Sequence, residues 1–284
     1  MIAVTGATGQ LGRLTLNALL ARVPAGELIA LVRDPAKAQD LAAKGVALRQ
    51  ADYADPASLA QALVGVKRLL LISSNELGQR AAQHQAVIDA AKHAGVELLA
   101  YTSVLHADTS RLGLAAEHRA TEQALAASGL AHVLLRNGWY HENYTAGVPA
   151  ALAHGVLAGS AGHGRISSAA RADYAEAAAV VLTSDGQAGR TYELAGDDAY
   201  DLAQLAALIT EQSGRAVQYQ DLPQADYKAL LISVGLPEPV AELLADSDAA
   251  AAHGALFDDS RQLATLIGRP TTPIALAVNA ALHG

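Results

Sequence analysis

Short apolar runs of β type alternate, through the first half of the chain, with longer stretches in which apolar residues recur at helical spacing. The β-type runs fall at 2–5, 27–33, 46–53, 68–74, 97–104 and 132–139, and the helical patterns between them at 10–23, 35–44, 56–64, 79–94 and 114–128. In the first helical stretch Leu11, Leu14, Leu19 and Leu20 mark the apolar stripe. Strands regularly separated by helices cannot pair as hairpins, so the pattern predicts a parallel sheet with crossover helices. Pro35 and Pro56 stand where a helix tolerates proline, in its first turn, while Gly45, Gly65, Gly95 and Gly129 follow the helices as stops. The expected fold class is α/β, a doubly wound parallel sheet of Rossmann type.

After about residue 143 the pattern loosens. Gly155, Gly159, Gly162 and Gly164 mark loops, 171–183 reads as a helix and 190–195 as a further strand. Helices are expected at 202–213, 224–234, 239–252, 258–267 and 274–282. The predicted organisation is a sheet domain over 1–154 and a smaller, mostly helical lobe over 155–284 that covers a substrate, with about 171–196 packing back on the sheet. There is no internal repeat and no low-complexity linker.

Composition narrows the function classes. Hydrophobic residues make up 51% of the chain, but Ala alone is roughly a fifth to a quarter of it, so much of that share is helix-forming filler. With 28 acidic against 20 basic residues and a net charge of -8, the surface repels nucleic-acid phosphates at long range, so no nucleic-acid partner is expected. No apolar run approaches the ~20 residues that cross a bilayer, and no basic segment precedes the first apolar residues. The expectation is a cytoplasmic protein, monomer or homodimer, with no membrane partner. The absence of cysteine removes thiolate nucleophiles, Fe-S clusters and Cys-ligated zinc together.

The strongest motif is Val4-Thr5-Gly6-Ala7-Thr8-Gly9-Gln10-Leu11-Gly12, a strand running through a Gly-x-x-Gly-x-x-Gly turn into an amphipathic helix. Gly6 permits the tight exit, Gly9 lets backbone N-H groups approach a pyrophosphate, and Gly12 lets the helix lie close to the sheet. A glycine triplet alone also fits a tight turn with no ligand; its position between a strand and a helix in a βαβ unit is what points to a dinucleotide. The second strand ends at Arg33, where NAD-preferring sites place an acid, so a guanidinium there suits a 2′-phosphate. Asp34 follows and either neutralises Arg33 or bonds the ribose itself.

Asp52 and Tyr53 end the third strand, as flanks of an adenine or as part of a helix cap at Asp55. Ser73, Ser74 and Asn75 end the fourth strand, and Tyr101 and Thr102 lie near the end of the fifth. All of these face the crevice outside the strand carboxyl ends.

None of the nine tyrosines is followed four residues later by lysine, so the Tyr-x-x-x-Lys proton donor of conventional short-chain dehydrogenases is missing. An alkoxide has a conjugate acid near ~16, whereas a hydroquinone titrates near ~10. A quinone acceptor therefore needs roughly 8 kcal/mol less help with its proton. The ten histidines show no paired metal-ligand spacing, and Ser160 has the wrong spacing for a hydrolase elbow.

The segment Asn137-Gly138-Trp139-Tyr140-His141-Glu142 concentrates the only Trp in a chain with few aromatics. It either packs between the lobes or forms the nicotinamide end of a site, with Gly138 permitting close approach and Asn137 donating to a carbonyl or carboxamide.

At these segments the chain resembles the NmrA-like atypical short-chain dehydrogenase/reductases. The likeness lies in TGATGQLG, VRDPAKA, ADYADP, LLLISS, AYTSVLHAD and LLRNGWYHENY, and continues through YELAG, SVGLPEP, LFDDS and LIGRPTT over nearly the whole chain. It is greatest to the flavin-free, quinone-reducing members. The resemblance implies NADP(H) at Gly6, Ala7, Thr8, Gly9, Gln10 and Leu11, at Arg33, at Ser73, Ser74 and Asn75, and at Asn137, Gly138, Trp139, Tyr140, His141 and Glu142. It implies direct, flavin-free hydride transfer to a small-molecule quinone, while Arg33 beside Asp34 points to NADPH with NADH tolerated and the histidine spacing to no metal. Asn137 would orient the nicotinamide or quinone oxygen, and Tyr140, Tyr101 or His84 would relay a proton. Asp34 departs from the uncharged residue expected after the arginine. Other members imply two alternatives, a redox sensor that binds NADP(H) without turnover and a reductase of triphenylmethane dyes.

Overall fold

The computed structural model describes residues 1–76 and 78–283. The elements of the first half are β1 (Ile2–Val4), α1 (Gln10–Leu20), β2 (Leu28–Val32), α2 (Gln39–Ala43), β3 (Ala47–Gln50), α3 (Pro56–Ala62), β4 (Arg68–Leu71), α4 (Arg80–His93), β5 (Leu98–Val104), α5 (Ala115–Ser128) and β6 (His132–Asn137). There follow α6 (His141–Thr145), α7 (Val148–His154), β7 (Val156–Gly159), α8 (Arg171–Thr183), β8 (Thr191–Leu194), α9 (Leu202–Ser213), β9 (Gln218–Asp221), α10 (Gln224–Ser233), α11 (Glu238–Ala251), α12 (Gln262–Ile267) and α13 (Ile274–His283). Two compact units emerge: Met1–Ala107, Glu117–Asn137 and Arg171–Tyr192 form the first, and Asp108–Ala116, Gly138–Ala170 and the chain from Glu193 onward form the second.

Among the described residues the main sheet has seven strands in the order β3-β2-β1-β4-β5-β6-β8. The pairings from β3 through β6 are parallel, with Ile2 beside Leu28 on one side and Arg68 on the other. At the β8 edge the Leu134 N-H donates to the Arg190 carbonyl and the Gly138 N-H to that of Leu194, so partners advance together and this strand too runs parallel. This is the doubly wound α/β architecture that the alternating pattern predicts. Its central strands are buried on both faces, as sheets covered by crossover helices are.

On one face Ala3, Ile29, Leu31, Leu69, Leu71, Leu99 and Tyr101 pack with Leu59 and Leu63 after the third strand, Val87 and Ile88 of α4, and Leu125 of α5. On the other, α1 lies against α8.

Three local readings change. In α1 the buried side chains are Leu11, Thr15, Leu16 and Leu19, while Leu14 and Leu20 are half-buried, so the true stripe is rotated from the one the leucines alone suggest. The stretch 35–44 is not one helix but a 3-10 turn at Pro35–Ala38 followed by the five-residue α2. The helix expected from 258 begins only at Gln262, because Asp258 Oδ1 takes the Ser260 N-H in a local turn and Arg261 adopts a left-handed φ of 55°.

The second unit holds a strand pair missed in the sequence, β7 beside β9, parallel with Val156 opposite Gln218. β9 reads Gln-Tyr-Gln-Asp and is mostly exposed, so it carries no hydrophobic alternation to find. Its longest helices are α9 and α11, and α9 starts on a full capping box between Asp201 and Gln204. Among the described residues no helix is long and apolar enough to cross a membrane.

Candidate functional site

The chain leaves β1 toward β2 and β3 on one side, then crosses to β4, β5 and β6 on the other. At this reversal the carboxyl ends of β1 and β4 splay their following segments apart, which opens a crevice. Gly6 turns the chain there with a left-handed φ of 57°, and the Gly9 N-H closes onto the Gly6 carbonyl at 2.9 Å. A Cβ on Gly12 would stand 2.3 Å from the Gly6 oxygen and 2.8 Å from the Ala7 Cα, so α1 sits as close to the turn as backbone allows. Gly9 stands at the cap of α1, which has no side-chain cap and no acidic residue in its first turn. Its leading N-H groups have no intrahelical acceptor, and with the helix dipole they suit an anion at the mouth of the crevice. This cradle of Gly6, Ala7, Thr8, Gly9, Gln10, Leu11 and Gly12 fits a dinucleotide pyrophosphate.

Arg13, one residue further on, braces the cradle. Its Nε donates to the Thr8 carbonyl at 3.2 Å and one terminal nitrogen to the Lys37 carbonyl at 2.6 Å, while the other pairs with Asp40. The guanidinium beside it holds the Asp40 carboxyl below the usual carboxylate range. Arg33, at the end of β2, is 73% exposed and pairs with Glu76 at 3.3 Å. The neighbouring Asp34 is occupied otherwise. Its carboxylate accepts the Ala36 N-H at 3.0 Å and caps the 3-10 turn, which leaves Arg33 as the cation at this strand end.

At the end of β3 the Asp52 carboxylate accepts the Ala54 N-H at 2.9 Å, and Asp55 caps α3. Tyr53 turns inward, its hydroxyl between the Thr5 hydroxyl and the Ile72 carbonyl, the latter at 2.7 Å. Burial raises its phenol above the ordinary range.

The segment after β4 is held from below. The Ser73 N-H donates to the Thr102 hydroxyl and the Ser74 N-H to His84 Nε2, both at 2.9 Å, while Arg80 Nε donates to the Ser74 carbonyl at 2.8 Å. Asn75 is exposed at its tip. The Thr121 hydroxyl donates to the Glu117 carbonyl at 3.0 Å, so it accepts from His84 Nδ1-H at 2.9 Å. Both nitrogens of His84 are therefore committed in the neutral ring, which gives it a positioning part rather than the relay expected from the sequence. Desolvation, aided by the positive charge of Arg80, lowers its pKa to about 3.

Tyr101, the other expected relay in this unit, faces the apolar layer beneath α4 and α5 and bonds His118 Nδ1 at 2.7 Å. The His84 ring meets it edge-on at 5.3 Å. His118 is likewise lowered by burial to about 3.

A pH dependence follows. In the unfolded chain a histidine titrates near ~6.5, far above the folded value of His84, so the unfolded state binds the extra proton first and stability falls as pH drops below about 6.5. Glu or Asp would not serve as a neutral stand-in, but His84→Gln keeps an acceptor for the Ser74 N-H without titrating. Between pH 6.5 and 5 it should recover about 2 kcal/mol of the acid-dependent loss in urea unfolding. Parallel curves for the two proteins would contradict the assignment.

Asn137 is buried at the end of β6, and its carbonyl accepts the Leu105 N-H at 2.9 Å. Gly138, Trp139, Tyr140, His141 and Glu142 belong to the second unit. There Trp139 is buried, its carbonyl accepting from the Ala169 N-H at 3.1 Å, and Tyr140 precedes α6. His141 Nε2 donates to the Thr272 carbonyl and Nδ1 meets the Ser168 hydroxyl, both at 2.8 Å. Glu142 lies half-buried in the first turn of α6.

One group went unseen in the sequence. Asp248 on α11 is buried and accepts from the Tyr144 hydroxyl at 2.9 Å and the Ser160 N-H at 3.0 Å. Desolvation pushes its carboxyl up to about 6; burial raises the Tyr144 phenol, and the Asp248 charge adds to that rise. A lone aspartate within an Ala-rich helix carries no signal of this in sequence. Among the described residues no cluster of His, Cys, Asp and Glu would hold a metal ion.

The NAD(P)H-binding family matches residues 6–185, from the first glycine of the cradle past α8. The chain belongs to the NAD(P)H-binding family. Within it, quinone oxidoreductase 2 of Escherichia coli (strain K12) is 61% identical over 98% of this chain and 98% of its own. Two solved structures of NAD(P)H-binding proteins share the fold throughout. An Escherichia coli NADPH-dependent quinone oxidoreductase complexed with NADPH superposes with a TM-score of 0.97 at 60% identity, covering 99% of each chain. The Citrobacter sp. triphenylmethane reductase complexed with NADP(H) does so with a TM-score of 0.96 at 39% identity, over 99% of this chain and 100% of its own. The resemblance read from the glycine turn, VRDPAKA and the later segments is borne out.

Proposed function

We propose that this chain is a cytoplasmic NAD(P)H:quinone oxidoreductase that prefers NADPH and needs neither flavin nor metal. The observation that carries the reading is the 61% identity, over 98% of the chain, to a protein named for quinone reduction. When bound, NADPH supplies a hydride, two electrons with one hydrogen, to the acceptor. The chain's own residues hold and orient. The turn of Gly6, Gly9 and Gly12 holds the pyrophosphate against the leading N-H groups of α1, and Arg33 takes the 2′-phosphate. The segment of Ser73, Ser74 and Asn75, held from below by Thr102, is assigned to the ribose and nicotinamide side of the crevice. Asn137 orients a carbonyl or carboxamide, and the loop of Gly138, Trp139, Tyr140, His141 and Glu142 is assigned to the nicotinamide end by resemblance.

With Tyr101 and His84 turned to buried partners, neither offers an acid to the acceptor. A quinone does not demand one, because its reduced oxygen is phenolic and titrates near ~10. Solvent, or Tyr140, then supplies the one proton that completes the hydroquinone. Positioning supplies most of the rate in such a reaction.

Steady-state consumption of NADPH with excess benzoquinone or naphthoquinone tests the reading. Quinone-dependent loss of nicotinamide absorbance is expected. Tight binding without turnover would point instead to a redox sensor. The 39% identity to a triphenylmethane reductase supports a second reading, a dye reductase, which higher catalytic efficiency on such dyes than on quinones would favour. Replacing Arg33 with alanine should weaken NADPH about 10- to 100-fold, as loss of a charged hydrogen-bond pair does, with NADH changed less than about twofold. Equal losses for the two coenzymes would remove Arg33 from the 2′-phosphate.

A further inference from the structure

The cation assigned to the 2′-phosphate is not idle in the free protein. Arg33 and Glu76 pair at 3.3 Å across the mouth of the crevice, from the end of β2 to the segment after β4. Both are more than half exposed, and an ordinary surface pair of this kind has little consequence. Glu76, however, is held from the protein side. Its second carboxylate oxygen accepts from Gln83 Nε2 at 2.6 Å, its N-H donates to the Ser74 hydroxyl at 3.1 Å, and that hydroxyl bonds Gln83 Oε1 in turn. Ser74 and Gln83 are both buried, at 8% and 7% exposure. A carboxylate is thus fixed beside Arg33 by a framework that reaches into the base of α4.

We propose that Glu76 is a specificity-determining residue that competes with the coenzyme 2′-phosphate for Arg33 and so narrows the preference for NADPH over NADH. The inference rests on the reading of Arg33 above. A 2′-phosphate must take the guanidinium from Glu76 and then lie near an anion that its tether to Gln83 keeps in place. A 2′-hydroxyl meets neither cost, since the Arg33–Glu76 pair persists beside it. Asp34 turns instead to the Ala36 N-H at 3.0 Å in the cap of the 3-10 turn, whereas Glu76 is the carboxylate paired with Arg33. NADH is tolerated, on this account, because the chain carries its own substitute for the missing phosphate.

The test is a titration of Glu76→Gln and Glu76→Ala with NADPH and NADH, and with 2′,5′-ADP and 5′-AMP as probes that differ only in the 2′-phosphate. The first variant keeps an acceptor for Gln83, and the second removes it. Both should bind NADPH and 2′,5′-ADP about two- to fivefold more tightly than the unaltered protein, with NADH and 5′-AMP unchanged. Unchanged or weaker NADPH binding in either variant, or an equal gain for both coenzymes, would overturn the proposal while leaving the functional reading intact. If the unaltered protein bound neither coenzyme, both would fall together.

Discussion

Gly12→Ala is expected to bind NADPH more than about 100-fold more weakly than the unaltered protein, beyond the range of a practical titration. The added Cβ would lie 2.3 Å from the Gly6 carbonyl oxygen, and the next obstacles are the Ala7 Cα at 2.8 Å and the Gly6 carbonyl carbon at 3.0 Å. All three are backbone, so no side chain can swing aside. Either α1 slides away from the turn or the turn is rebuilt, and both displace the N-H groups that would face a pyrophosphate. Overpacking of this sort also costs about 1–3 kcal/mol of stability, so circular dichroism and a melt should accompany the titration. Gly26→Ala is the control, since a Cβ there meets nothing within 4 Å. Binding by Gly12→Ala within threefold of the unaltered protein would dissociate the cradle from the coenzyme.

The largest stability loss is expected at Glu122. On α5 this carboxylate accepts from Arg136 Nε at 2.9 Å, from an Arg136 terminal nitrogen at 2.7 Å and from the Ser103 hydroxyl at 2.6 Å. The side chains are 10% and 11% exposed, so the fork is buried between α5 and the strand ends of β5 and β6. Glu122→Ala strips the guanidinium of this two-point carboxylate partner in a desolvated place, a loss of about 3–5 kcal/mol. Urea unfolding measures it. Replacing the pair together, Glu122→Leu with Arg136→Met, should recover most of that loss, because two buried charges cost nearly as much desolvation as their attraction returns. A single variant within about 1 kcal/mol of the unaltered protein would mean that water reaches the pair.

Much of this architecture is written in the spacing of apolar residues. The alternation that located β1 through β6 and α1 through α5 has a direct cause, since strands buried on both faces must be apolar and crossover helices need one apolar side. The glycine turn was equally plain, because Gly6 and Gly12 answer to backbone geometry that few other residues satisfy. What stayed hidden depends on distant partners. Nothing near His84 in the sequence announces that Ser74 and Thr121 consume its two nitrogens. Nothing around Glu76 announces Arg33, 43 residues earlier. Asp34 read as a rival for the ribose because its sequence neighbour is Arg33, whereas the nearest N-H belongs to Ala36. The pair of β7 and β9 escaped because a mostly exposed polar strand leaves no periodicity.

Arg13 joins the Thr8 carbonyl to the Lys37 carbonyl and Asp40, so the phosphate turn and the segment following Arg33 share one strut. A ligand that fills only the adenosine end thus meets a phosphate turn already braced against the segment after β2. Fragments of the coenzyme should then combine their affinities almost in full when joined, and a chemist linking them would find little lost to ordering the protein.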